Sequence, residues 1–256
     1  MKTGVVSVTF RPLKPAEIIA LTKQAGLQSI EWGGDVHVPP GETGLAREVA
    51  AQTRSAGLEV AGYGSYFMLG SGGEFGPVIE TAIALQAPVI RLWAGKIASA
   101  DILPEARAAM AAELHGCAVA AAGRGITLSL EHHQGTAADH AGSAANLIDA
   151  AGLPAVRTHW QPLTQHDDTW QFRSFERLRD HVLHLHVFWR NASTNAWLPL
   201  SEGRSFWEKL LAEARTAPHA GAALIEFVKD GTPEQFLADA QVLRKMVERV
   251  VPNALD

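Results

Sequence analysis

Short apolar runs rich in β-branched residues recur along the chain, and each is followed by an alanine-rich segment with helical spacing. The runs are Gly4–Phe10, Ser29–Trp32, Leu58–Tyr63, Val89–Trp93, Ile126–Glu131, Ala155–Gln161, Val182–Phe188 and Ala222–Phe227. Helical segments are predicted at Pro15–Gln24, Leu45–Ser55, Val78–Gln86, Glu105–Ala122, Ser143–Ala151, Ser174–Arg179, Ser205–Ala214 and Pro233–Val250. Strands alternating with helices imply a parallel sheet joined by crossovers.

Glycines at positions 26, 57, 125 and 152 stand just past a helical segment and just before a strand, where a left-handed residue suits a short turn. Lys14-Pro15 and Thr232-Pro233 place proline in a first helical turn, and Thr232 with Gln235 has the spacing of a capping box. Eight such units without a linker-like stretch predict one (β/α)8 TIM barrel over residues 1–256, a length within the usual range for this fold. The competing fold is a Rossmann-type sheet, but Thr9-Phe10-Arg11-Pro12 is no glycine-rich fingerprint. Gln165–Arg173 and Arg190–Arg204 read as the least regular stretches, and both follow strand ends.

The late strands carry polar residues in one phase only: Thr127, Ser129 and Glu131; Arg157, His159 and Gln161; His184 and His186; and Glu226, alongside Leu224. Side chains alternate across a strand. The helices need an apolar partner, so the polar phase should face the barrel axis. The terminal members Glu131, Gln161, His186 and Glu226 then converge at the C-terminal mouth, where barrels of this kind gather catalytic groups. Two carboxylates, an imidazole and an amide oxygen suit a divalent ion such as Mn2+, Mg2+ or Co2+. Two such glutamates also suit proton transfer beside a carbonyl, with Glu131 and Glu226 as the acid/base pair. For any one of the four, a solvated or hydrogen-bonded polar residue is the commoner outcome; four in phase on successive strands favour a site.

Composition narrows the partners. The net charge is -5, from 22 basic and 27 acidic side chains, which opposes a nucleic-acid binder. Cys117 is the single cysteine and lies in an apolar helical run, so it reads as a structural thiol in a reducing compartment. No apolar run approaches a membrane span, and the N-terminus lacks the make-up of a signal peptide, so a cytoplasmic protein is expected. A homo-oligomer is compatible with all of this.

The chain resembles the xylose-isomerase-like TIM barrel superfamily of sugar and sugar phosphate isomerases and epimerases. The resemblance rests on Leu128-Ser129-Leu130-Glu131-His132-His133, on His184-Leu185-His186, and on Leu224-Ile225-Glu226 followed by a helix. It implies a metal held by Glu131, His186 and Glu226, with the two glutamates as the acid/base pair. Where the superfamily has an aspartate this chain has Gln161, with His159 as a rival one pleat below, and Thr164 stands where a histidine is typical. A neutral amide there implies weaker metal binding. The resemblance also favours His133, over His132, near the substrate.

Aromatic and polar residues crowd the other strand ends. Tyr63, Trp93 and Trp189 suit stacking against a carbohydrate, and His37, Lys96 and Arg190 suit a phosphate or carboxylate. Ordinary packing and solvated loop charges explain the same residues equally well. The expected activity is a metal-dependent isomerase or epimerase acting on a sugar or related hydroxy-carbonyl compound through an enediolate. A dehydratase or lyase, a DNA-repair endonuclease and a non-catalytic sugar-binding barrel with a decayed metal site are the alternatives.

Overall fold

The computed structural model of the protein describes residues 1–153 and 156–250. Eight parallel strands close into a barrel in sequence order: β1 (Lys2–Val6), β2 (Ser29–Gly33), β3 (Glu59–Met68), β4 (Val89–Trp93), β5 (Thr127–Glu131), β6 (Val156–Trp160), β7 (Val182–Val187) and β8 (Ala222–Ile225). Each is followed by a helix: α1 (Pro15–Gln24), α2 (Thr43–Ser55), α3 (Gly76–Leu85), α4 (Pro104–Ala122), α5 (Ala141–Ala151), α6 (Asp168–Leu178), α7 (Arg204–Ala214) and α8 (Pro233–Val250). The fold is therefore the expected (β/α)8 barrel. Ala155, expected to begin the sixth strand, lies outside the described residues.

The helices dock by one stripe. In α2 the buried positions are Ala46, Val49, Ala50 and Thr53, the spacing of a single apolar face. The strands meet them with their outward phase, in which Ile30, Trp32, Tyr63, Leu92, Leu128, Leu130, Trp160 and Leu185 are all fully buried. Gly26 and Gly152 take the positive φ that the turns require, at 67° and 69°.

Three local expectations give way. The first run stops as strand at Val6, and Ser7–Phe10 winds into a 3-10 turn. Beyond Val6 the side chains take over from the ladder: Ser7 Oγ accepts from Gly33 N at 2.8 Å, and Thr9 Oγ1 accepts from Phe227 N at 3.0 Å. The sixth helix starts at Asp168, so most of the stretch expected to be irregular is helical. Asp167 caps it by accepting from Trp170 N at 2.8 Å. The capping box at α8 is half made: Thr232 Oγ1 accepts from Gln235 N, but the Gln235 amide donates to Asp239 Oδ1 at 2.8 Å instead of turning back.

The barrel interior is divided. Around β1 and β8 it is apolar, a cluster of Val6, Val8, Ala61, Ala222 and Leu224. Across the axis, β2 and β4 to β7 contribute Glu31, Arg91, Ser129, Glu131, His159, His184 and His186, all buried. Cys117 is buried in α4 with its thiol pushed up to about 11 by burial, as suits a structural thiol.

Candidate metal centre at the barrel mouth

Inward phase and register bring the predicted four together. Glu131 ends β5, and Gln161 follows β6. His186 lies near the end of β7, and Glu226 follows β8, tied to it by its backbone N–H donating to Val187 O at 3.1 Å. His186 Nδ1 lies 3.4 Å from Glu226 Oε2 and 3.8 Å from Glu131 Oε1. Gln161 Nε2 donates to Glu131 Oε1 at 3.1 Å. Glu131, His186 and Glu226 present one ligand atom each within 4.8 Å of one another. His186 Nδ1 is buried without a hydrogen-bond partner. An orphaned imidazole nitrogen between two carboxylates fits a divalent cation, with Gln161 able to turn its amide oxygen inward.

Two residues absent from the predicted set join it from below. Arg91 on β4 bridges two acids: Nε donates to Glu31 Oε1 at 2.7 Å, and Nη1 donates to Glu131 Oε2. Glu31 on β2 turns its other oxygen to His159 Nε2 at 2.9 Å and to His186 Nε2 at 3.4 Å. Burial alone would raise the Glu31 carboxyl, yet Arg91 and the two imidazoles hold it well below the usual carboxylate range. Burial would likewise depress His186, but Glu226 and Glu31 push it up to about 10. Glu226 is lowered against its burial, chiefly by His186 and then by Arg91. His159, paired through Nδ1 with Ser129 Oγ at 2.6 Å, is driven down to about 3 by burial and stays neutral.

Arg91 fits because β3 offers no side chain opposite it. A Cβ on Gly64 would lie 2.4 Å from Arg91 Nη2 and 2.9 Å from Glu31 Oε1. Both charged residues were visible in sequence as single ionic positions in strands, in phase with Ser29 on β2 and with Val89 and Trp93 on β4. A phase reading carried through the early strands would have found them.

The seven residues expected to contact a substrate separate into three groups. His133, Arg190 and Trp93 gather near the mouth. His133 and Arg190 line a cavity of about 130 Å3 with Gln161, Glu226, Trp197 and Phe227. Trp93 packs at a tilt against His133, ring centroids 4.3 Å apart, and stacks on Tyr66 at 6.2 Å, with its Nε1 buried and unpartnered. The Arg190 guanidinium lies over the Trp197 ring at 3.4 Å and donates to Asn195 Oδ1. Trp189 lines an adjoining cleft of about 570 Å3, shared with Thr164, His166 and Arg190. This wider space lies beside the carboxylates, not over them.

His37, Tyr63 and Lys96 are corrections. Tyr63 pairs in register with Trp32, so both face the helices, and its hydroxyl donates to Val38 O at 2.8 Å. His37 is buried between Ser7 Oγ at 2.9 Å and Leu13 O at 3.2 Å. Lys96 is exposed beside an apolar groove formed with Met68, Leu69 and Met110, away from the carboxylates. The choice between neighbouring histidines follows strand alternation. His132 faces outward, with Nδ1 against Ala138 O at 2.6 Å, and burial pushes it down to about 4.

Fold and site together define a barrel that gathers acids and imidazoles at the C-terminal ends of its strands. A family model for the xylose isomerase-like TIM barrel matches residues 19–246, and the chain belongs to that family. None of the curated protein sequences compared matches this chain. Among solved structures, a probable 3-DHS dehydratase AsbF of petrobactin synthesis from Bacillus anthracis superposes with a TM-score of 0.80 at 19% identity, covering 95% of this chain and 99% of the other. A xylose isomerase-like barrel protein from Mycobacterium smegmatis in complex with magnesium gives 0.71 at 11%, covering 98% of each. A D-psicose 3-epimerase studied in the presence of D-fructose gives 0.67 at 18%, covering 98% of this chain and 96% of the other. At such identities the likeness speaks for the fold.

Proposed function

We propose that the protein is a divalent-metal-dependent isomerase or epimerase of a sugar or related hydroxy-carbonyl compound. The observation that carries this is His186 Nδ1, buried and unpartnered between the carboxylates of Glu131 and Glu226. Glu131, Gln161, His186 and Glu226 would hold Mn2+, Mg2+ or Co2+. When bound, such an ion supplies a Lewis acid that polarises the substrate's carbonyl oxygen. Glu226 and Glu131 flank the reacting carbon; one takes the proton beside the carbonyl, and the other returns it to the enediolate. His133 and Trp93 form an aromatic wall for the carbon face of the substrate. Buried Arg91 keeps water and competing donors from the inner side of Glu131.

A dehydratase reading is favoured by one observation. Arg190 stands half-buried beside Gln161 and Glu226 with its Nε unpartnered, which suits a carboxylate on the substrate. The neighbouring dehydratase has the same fold, and elimination also starts with a proton beside a carbonyl.

The test is metal analysis of the purified protein, followed by incubation with Mn2+ and a panel of ketoses and hydroxy acids in D2O. A product of unchanged formula carrying one deuterium supports isomerisation or epimerisation. Loss of water supports the dehydratase. No metal uptake and no exchange sinks both. In this reading residues 1–256 act as a single domain on a small molecule, without nucleic acid or membrane. No helix among the described residues is long and apolar enough to cross a membrane, and the one buried thiol suits a reducing cytoplasm.

A further inference from the structure

Glu31 lies one pleat deeper than the candidate metal centre and belongs to none of the expected ligand positions. Its two oxygens have distinct partners. Oε1 is taken by Arg91 Nε at 2.7 Å. Oε2 lies 3.4 Å from His186 Nε2, within hydrogen-bond geometry. The same oxygen is 2.9 Å from His159 Nε2, but that contact is misaligned and leaves the His159 nitrogen without a hydrogen bond. Oε2 therefore faces two imidazoles, and of the two contacts it is the one to His186 Nε2 that meets hydrogen-bond geometry. All three side chains are fully buried, so water cannot substitute.

We infer that Glu31, anchored by Arg91, is the positioning residue that keeps the His186 Nε2–H pointing down the barrel and its Nδ1 lone pair pointing at the mouth. The inference rests on the metal site proposed above. An imidazole has two nitrogens, and the hydrogen bond at one decides which is free to bind an ion. Arg91 links the arrangement to a second ligand, because the same guanidinium also holds Glu131. Two of the ligands, on β5 and β7, are thus set by one ion-paired pair on β2 and β4.

Glu31, His159 and His186 also lie close enough to hold an ion themselves. Charge argues against a second ion. With His186 neutral as a ligand, Glu31, Glu131 and Glu226 contribute three negative charges and Arg91 one positive, so a single divalent ion brings this buried group to neutrality. A second would leave excess charge in a dry interior, where uncompensated charge is costly.

The experiment measures Mn2+ binding calorimetrically to wild-type protein and to Glu31→Gln, with the thermal stability of each metal-free form recorded alongside. The expected result is one ion per chain and a loss of about 10- to 100-fold in affinity in the variant. A purely structural role would lower metal-free stability and leave the affinity of the folded protein unchanged. That outcome, or two ions per chain in the wild type, overturns the inference while leaving the site. Wild-type protein that takes up no ion overturns the site and the inference together. Should the variant not fold, proton NMR of the Co2+-loaded wild type decides. A hyperfine-shifted, slowly exchanging ring N–H from His186 supports the assignment, and its absence overturns it.

Discussion

The charged half of the barrel interior and the mouth above it are built by different rules. Below, Glu31, Arg91, Glu131, His159 and His186 sit on strands whose register fixes each side chain. They contact one another, and none is more than 2% exposed. Above, His133, Arg190, Trp197 and Phe227 sit at or beyond strand ends, and two mouth residues, Tyr66 and Phe227, take left-handed backbone at φ 58° and 59°. Such conformations cost energy in non-glycine residues and persist where surrounding contacts enforce them. Here Arg11 ties both: it donates to the Tyr66 hydroxyl at 2.9 Å and lies over the Phe227 ring. The lower half offers pre-set candidate ligands, and the upper half offers shape. Chemistry should thus be sensitive to the first and selectivity to the second.

Substitutions sharpen that contrast. The largest effect is expected from Glu226→Gln, which should lower turnover by about 10²- to 10⁴-fold in steady-state kinetics. Arg91→Met should act on the fold, because it strands two buried carboxylates. A loss of about 3–5 kcal/mol by urea denaturation is expected, and a loss below 1 kcal/mol would mean that the charged half is not a stabilised unit. Arg190→Ala should raise KM for an anionic substrate by roughly 10- to 100-fold, the worth of a charge-assisted hydrogen bond, and should leave a neutral sugar nearly unaffected. The smallest effect is expected from Tyr63→Phe, which should cost about 0.5–1.5 kcal/mol of stability through the lost bond to Val38 O and change no kinetic constant. A shift in KM there would return Tyr63 to the substrate pocket.

The same contrast explains what the sequence could reveal. Parallel strands, helix stops and the four candidate ligands follow from periodicity, because a barrel strand without a register shift converts residue parity directly into inside or outside. Glu131, Gln161, His186 and Glu226 each close the polar phase of their own strand, so the pattern groups them. Parity applied to β2 and β4 would also have added Glu31 and Arg91, but it would have kept Tyr63, which shares parity with inward Ala61 and faces out only because the register against β2 shifts by one residue between Val60 and Gly62. Burying an aromatic ring of that size against the helices is worth roughly 4–6 kcal/mol, more than a mouth contact would return. Loop placement was not legible in this way. Asp168 to Arg173 is too polar for an apolar helical stripe, and only the Asp167 cap marks the helix. Arg190 reaches the mouth because Trp197 folds back beneath it, a tertiary contact with no local sign.

The missing side chain at Gly64 has an evolutionary consequence. A methyl group there would meet the guanidinium that serves both Glu31 and Glu131, so a substitution on β3 would disturb the candidate ligands on β5 and β7 without touching either. Mutational tolerance at this position should therefore be low. A shorter residue at 91 would not restore tolerance, because Glu31 Oε1 also lies 2.9 Å from where the methyl would stand.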